Sequence, residues 1–239
     1  MPARLIPWNG VMKSLLLIVA CFALLAGFSV KISGEQKSTD SAVSDARIRQ
    51  IIDKHAGSWG GMNVPEADGQ ALYDIVIQHK YKNALEIGTS NGYSGLWIGW
   101  ALSKTGGKLT TVEIDRSRHE EALAYFREAG LSRVIDGRLG DAHEIVPALQ
   151  GPFDFVFCDA DKEWYQNYLK AVLPKLAEGG CFAAHNVSDY SRWGGRGRRG
   201  FGGQGNGFLE YARSLPNLET SILNIPGSGG LSVSYKKSN

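Results

Sequence analysis

The residues of this chain best suited to chemistry lie in short stretches that end in acids, glycines or a histidine. One runs Asn83-Ala84-Leu85-Glu86-Ile87-Gly88-Thr89-Ser90-Asn91-Gly92-Tyr93-Ser94, an apolar strand carrying an acid, then a glycine turn, then the start of a helix. A second, Thr111-Val112-Glu113-Ile114-Asp115, is a strand that ends in acids one helix later. That order suits a nucleoside-containing cofactor at the carboxyl edge of a parallel sheet. The glycines let the backbone approach the ligand, and the later acid can bond a ribose diol. A pyrophosphate fingerprint, G-x-G-x-x-G, has a middle glycine that the Gly88 and Gly92 spacing lacks. Glu86 would also repel a pyrophosphate, yet it can accept bonds from an ammonium or a hydroxyl. Both features favour S-adenosylmethionine (SAM), which has no phosphate and carries a sulfonium and an amino-acid tail. They disfavour an NAD-dependent oxidoreductase. The competing reading is an ordinary strand-turn-helix.

A third group joins Asp159-Ala160-Asp161-Lys162 to His185-Asn186. If both stretches end strands of the same sheet, an acid, an imidazole and an amide oxygen can converge on one divalent cation. A neighbouring lysine can act as a base where burial or positive neighbours favour a neutral amine. By itself the Asp-Ala-Asp-Lys stretch would read as a solvated loop; its place beside the cofactor turn makes the functional reading the stronger.

Alternating strands and helices must position these groups. Helices are expected over Ser41–His55, Glu66–His79 (Ala71, Ile75 and Val76 inward), Tyr93–Ser103, Ser117–Ala129, Glu144–Leu149 and Trp164–Leu176. Strands are expected at Leu85–Ile87, Leu109–Ile114, Val134–Leu139, Phe153–Cys158 and Gly180–Ala184. The pairing of Leu218–Leu223 with Gly230–Tyr235 is expected to be antiparallel. Such alternation predicts an α/β doubly wound sheet with ligands beyond the strand carboxyl ends.

A length of 239 residues with 43% hydrophobic and 21% charged residues suits one α/β domain plus an extra segment. A net charge of +2 is too small to imply a polyanionic partner, so nucleic acid is not expected. Cys21, Cys158 and Cys181 show no metal-ligand spacing and imply no disulfide framework. Residues 1–40 stand apart: Arg4 and Lys13 precede an apolar run, Ser14 to Val30, followed by Lys31 and a polar stretch. This reads as a signal peptide or membrane anchor plus linker, ahead of a catalytic domain at 41–239. The chain is then membrane-associated or exported; a misplaced start on a cytoplasmic enzyme is the alternative.

With these motifs assembled, the chain resembles the metal-dependent small-molecule O-methyltransferases, the group containing catechol and caffeoyl-coenzyme A O-methyltransferases. The ordered markers are Met62-Asn63-Val64, Gly69-Gln70, Leu85-Glu86-Ile87-Gly88, Gly92-Tyr93-Ser94, Val112-Glu113-Ile114-Asp115, Gly140-Asp141-Ala142, Asp159-Ala160-Asp161-Lys162 and His185-Asn186-Val187. The resemblance implies a class I (Rossmann-like) SAM methyltransferase fold acting on a small aromatic diol or hydroxycinnamoyl-type substrate, with a homodimer as one assembly. It implies that Val64, Glu86, Gly88 and Ser94 surround the methionine part of SAM, that Glu113 binds the ribose, and that Asp141, Ala142 and His143 line the adenine pocket. Asp159, His185 and Asn186 fall on the metal positions, with Asp159 also bordering the cofactor, and Lys162 falls on the catalytic base. In that chemistry a cation would bind the diol and lower its pKa, and Lys162 would take the proton. Trp59, Met62 and Trp164 are candidate walls of a closed pocket.

The chain departs from this family in two places. The family has aspartate where His185 stands; hard magnesium prefers oxygen ligands, whereas imidazole suits zinc, nickel, iron or manganese. A changed metal preference, weakened magnesium binding and a lost metal site are all open. The second departure is Ser191–Gly207, where Arg192, Arg196, Arg198 and Arg199 lie among glycines with Trp193 and Phe201. That stretch reads as a lid for an acidic substrate, as a nucleic-acid or lipid contact, or as a solvated insertion. A non-catalytic or repurposed SAM-binding protein is the alternative function that His185 invites.

Overall fold

Strand β4 (Phe153–Cys158), Phe-Asp-Phe-Val-Phe-Cys, is apolar at every position but one and sits near the middle of a seven-stranded sheet. A strand buried on both faces needs this composition. The computed structural model describes residues 44–55, 63–187, 205–228 and 230–238, all within one unit, Val43–Asn239.

The element order is α1 (Asp45–His55), α2 (Glu66–His79), β1 (Asn83–Ile87), α3 (Tyr93–Thr105), β2 (Lys108–Glu113), α4 (Arg116–Glu128), β3 (Ile135–Leu139), α5 (Ala142–Ala148), β4, α6 (Tyr165–Val172), β5 (Leu176–His185), α7 (Gly205–Ser214), β6 (Leu218–Leu223) and β7 (Leu231–Lys236). The sheet order is β3-β2-β1-β4-β5-β7-β6. The first five strands pair in parallel, and β7 is antiparallel to both β5 and β6. The expected Rossmann-like sheet with an antiparallel end is therefore what the chain forms. Order reverses between β1 and β4, the switch point where the edge opens as a crevice.

Side-chain alternation along the strands sorts the core into layers. Phe155, Phe157, Cys181 and Ala183 pack with Ile48, Leu72, Leu96 and Trp97 of α1, α2 and α3 on one face. Leu85, Ile87, Val156, Phe182 and Ala184 pack with Tyr165, Leu169 and Phe208 of α6 and α7 on the other. By the same alternation Glu86 and His185 belong to the face covered by α2 and α3. This places their side chains where α2 can reach them.

Some expectations need correction. Ala71 is only half-buried, and its neighbour Leu72 fills the core position instead. The Gly/Arg stretch gives way at Gly205 to α7, whose Phe208, Leu209 and Ala212 are buried. The run of glycines before it hid this short amphipathic pattern. Cys158 and Cys181 are buried free thiols on adjacent strands. Residues 1–40, Trp59, Met62 and most of 191–207 lie outside the described residues. Among the described residues no helix is long and apolar enough to cross a membrane.

Candidate active site

The carboxyl ends of β1, β2, β4 and β5 carry the site. Glu86 lies one residue from the end of β1 and is fully buried. Thr111 Oγ1 donates to its Oε2 (2.6 Å), and Thr111 meets the Thr89 hydroxyl at 2.5 Å. Burial pushes the Glu86 carboxyl up to about 7, against the opposing hydrogen bonds from Ser94 and Thr111. Its Oε1 has no hydrogen-bond partner among the described residues. A buried carboxylate oxygen left unpaired is costly. An ammonium group arriving from the crevice would relieve it, so this pocket fits the amino-acid tail of SAM.

Gly88 follows with φ +94°, and a Cβ there would lie 2.8 Å from the Asp159 carbonyl oxygen. The glycine is thus required twice, by the left-handed turn and by close approach to the β4 end. The turn stays on β2 because the N–H groups of Gly88 and Thr89 both donate to the Val112 carbonyl (3.1 Å).

Glu113, ending β2, accepts backbone N–H bonds from Ser90 (2.7 Å) and Asp115 (2.9 Å). These donors fix its carboxylate while leaving lone pairs for a ribose diol. Ile114 beside it is 69% exposed, an apolar surface at the crevice edge that the sequence reading missed. An apolar residue directly after the acid that ends β2 was the available signal. Asp141 caps α5 by accepting from the His143 N–H (2.8 Å), and Ala142 is buried. The His143 ring stacks on Trp164 (centroids 3.8 Å apart, planes at 19°) and lies 3.1 Å from Asp161. Val64 is buried just before α2, and Ser94 is buried in the first turn of α3.

The third group closes into a row of alternating charge. Lys162 Nζ donates to Asp159 Oδ1 (2.5 Å) and to the Tyr165 hydroxyl (2.5 Å). Asp159 Oδ2 faces His185 Nδ1 (3.2 Å), and His185 Nε2 faces Asp68 Oδ2 (2.9 Å). Tyr165 also donates to the His185 carbonyl (3.1 Å). Burial alone would lower the His185 pKa, but the hydrogen bonds and charges of Asp159 and Asp68 overcome it and raise it to about 9. Burial alone would raise the Asp159 pKa, and His185 and Lys162 together hold it below the usual carboxylate range. Both shifts describe one ion pair. Asp68, fully buried in the first turn of α2, was absent from the sequence reading, as was Tyr165. A cavity of about 260 Å³ opens beside this row, lined by Lys162, Glu163, Gln166 and Phe208.

The metal positions assemble less well. Asn186 is exposed, with a left-handed backbone (φ 57°). Both Asp159 oxygens already face nitrogen groups, and both His185 nitrogens face carboxylates. Among the described residues no group of three or more His, Cys, Asp or Glu is arranged to hold a metal ion. This donor set does not fit a hard divalent cation, which needs free oxygen ligands.

Comparison with known proteins identifies the family and the fold. A family model described as O-methyltransferase matches residues 35–196. Caffeoyl-CoA O-methyltransferase 1 of Eucalyptus globulus is 36% identical over 145 residues, 59% of this chain and 58% of that protein. Caffeoyl-CoA O-methyltransferase 2 of Petunia hybrida is 32% identical over 146 residues, 59% of each. The matched region thus spans less than two thirds of the length of these curated relatives. An O-methyltransferase of Bacillus cereus, solved in complex with SAH, superposes with a TM-score of 0.70 at 25% identity, covering 85% of this chain and 96% of that one. An O-methyltransferase of Streptomyces achromogenes involved in tomaymycin synthesis, solved with SAM, gives 0.69 at 25% identity, covering 85% and 99%.

Proposed function

Because the chain belongs to the O-methyltransferase family, we propose that it methylates a hydroxyl of a small aromatic, catechol-like or hydroxycinnamoyl-type acceptor with SAM as the donor. The observation that carries this reading is the unpaired, buried Glu86 oxygen at the Gly88 turn, on the same sheet edge as Glu113 and Lys162. The caffeoyl-CoA relatives support the choice of acceptor.

SAM, when bound, supplies a methyl group on a sulfonium, which a deprotonated hydroxyl can accept. The chain's own residues do the rest. Glu86 holds the ammonium of the amino-acid tail, with Ser94 and Thr111 fixing its carboxylate. Glu113 holds the ribose hydroxyls. Ile114 and the stacked His143–Trp164 pair offer apolar surface for the base, next to Asp141 and Ala142. Lys162, which lines the 260 Å³ cavity, takes the acceptor proton as general base after its ammonium has released a proton to solvent. Phe208 from α7 gives that cavity an apolar wall. The divalent cation expected from the resemblance has no part in these steps, because the donor set does not fit one.

The test is methyl transfer by the full chain from labelled SAM to a pool of catechols and hydroxycinnamoyl esters, with and without chelator. Turnover on a diol supports the reading. SAM binding without turnover on any acceptor points instead to a repurposed binder. The apolar run Ser14 to Val30 supports an anchor or export signal; partition of the full chain into the membrane fraction, and its release by alkali, checks that.

A further inference from the structure

We propose that His185 is a resident cation standing in for a metal ion: with Asp68 behind it and Asp159 in front, it positions Asp159 and through it Lys162, so that the acceptor site operates without a divalent metal. The role given to Lys162 rests on the O-methyltransferase reading; the clamp itself does not.

The first argument is hydrogen-bond arithmetic. The two His185 ring nitrogens face carboxylate oxygens at 3.2 Å (Asp159) and 2.9 Å (Asp68). Carboxylates only accept, and a neutral imidazole donates from one nitrogen alone. Both contacts are satisfied only by a ring donating from both nitrogens, and such a ring has no lone pair for a metal. The second argument concerns Asp159. Its other oxygen accepts from Lys162 Nζ at 2.5 Å. A metal on this carboxylate would have to displace the imidazole and then sit across from an ammonium.

The third argument is charge balance. Asp68 and Asp159 are matched by His185 and Lys162 in an unbroken row, and two of its members are almost wholly shielded from solvent, with 0% side-chain exposure at Asp68 and 4% at His185. A divalent ion added here would bring charge with nothing to compensate it in a poorly solvated place.

The surrounding elements hold the clamp in register. Asp68 lies in the first turn of α2, where the helix N-terminus favours a carboxylate. His185 ends β5 on the face that α2 covers, and the Tyr165 hydroxyl secures its carbonyl. Asp68 and His185 are positioning residues, since the cavity is lined by Lys162 and not by them. A neutral Asn at 68 would leave His185 with a single carboxylate and Lys162 less firmly placed.

The deciding experiment uses the full chain, freed of metal and titrated with Mn²⁺ by electron paramagnetic resonance and with Zn²⁺ against a chromogenic chelator. The wild type should retain neither ion, and His185→Asp should gain a Mn²⁺ site. Stoichiometric binding of either ion by the wild type, lost in Asp159→Asn, overturns the proposal. A measurement on the unmutated chain covers variants that fail to fold. In ¹⁵N-histidine NMR both His185 ring nitrogens should carry protons and stay unmoved by Zn²⁺; one bare nitrogen, or a shift on adding Zn²⁺, overturns it. Chelator should change kcat by less than about 2-fold, whereas a loss of roughly 10-fold or more restored by metal sinks the idea. In folded Asp68→Asn, kcat should fall with KM for SAM unchanged and the ring signals should move; no change in either removes the positioning role. If the wild type binds no SAM, the proposed function fails while the metal and NMR measurements still judge the clamp.

Discussion

Glu86 shows how one buried atom links stability to binding. Its carboxyl titrates near 7 because burial disfavours the charge, and an incoming ammonium needs the charged form. SAM affinity should therefore rise as pH increases through about 7, a trend readable by calorimetry at a series of pH values. Glu86→Gln should weaken SAM binding by roughly 10- to 100-fold, the loss of one charge-assisted hydrogen bond, and should flatten that pH trend. An unchanged dissociation constant would remove Glu86 from the cofactor site. Lys162 makes the contrasting case, since it lines the 260 Å³ cavity proposed for the acceptor. Lys162→Ala should lower kcat by about 10²- to 10⁴-fold, typical for a general base, while SAM affinity stays within about 2-fold. Equal losses in both would mean that Lys162 only holds Asp159 in place.

Between residues and fold stand the turns and caps that aim them. The β1–α3 turn ties the Glu86 end of the site to the Asp159–Lys162 end, because Gly88 packs on the Asp159 backbone. Gly88→Ala forces both a left-handed alanine and a 2.8 Å contact. The change should cost about 1–3 kcal/mol in urea denaturation, and it should also weaken SAM binding. An alanine variant with wild-type stability would show that the turn relaxes freely. Helix α7 matters in the same way. It starts at Gly205, inside the stretch read as a glycine-arginine insertion, and runs on through residues given no element from the sequence; Phe208 from it walls the cavity beside Lys162.

For the molecule as a whole, the buried charges on this sheet edge predict how stability depends on pH. Glu86 has a folded pKa above its unfolded value of 4.5, so the folded chain binds more protons and stability falls as pH rises from 4.5 to about 7. The cost above that range is on the order of 3 kcal/mol. His185 is raised from 6.5 to about 9, so its contribution is fully present below 6.5 and is lost as pH rises through about 9. The two windows join, and thermal denaturation should show stability declining from mildly acidic pH to about 9. Glu86→Gln should remove the lower part of that slope and leave the upper part. A profile rising across this range would mean that neither group titrates as its surroundings demand.

The residues themselves were enough to identify the Glu86–Gly88–Gly92 turn, the acid ending β2, the order of alternating elements and the antiparallel end of the sheet. Each depends on local pattern: glycine where the chain turns left-handed, apolar runs where a strand is covered on both faces, and spacing that survives any tertiary arrangement. His185 was visible too, as a candidate cation ligand and as a substitution at a metal position. Its chemistry was decided by Asp68, 117 residues away in sequence, which meets it because strand alternation turns the end of β5 toward α2. Burial then removes water as a competing partner, and two carboxylates replace it. Ionisation and ligand choice at this site follow from those surroundings, and no spacing along the chain encodes them.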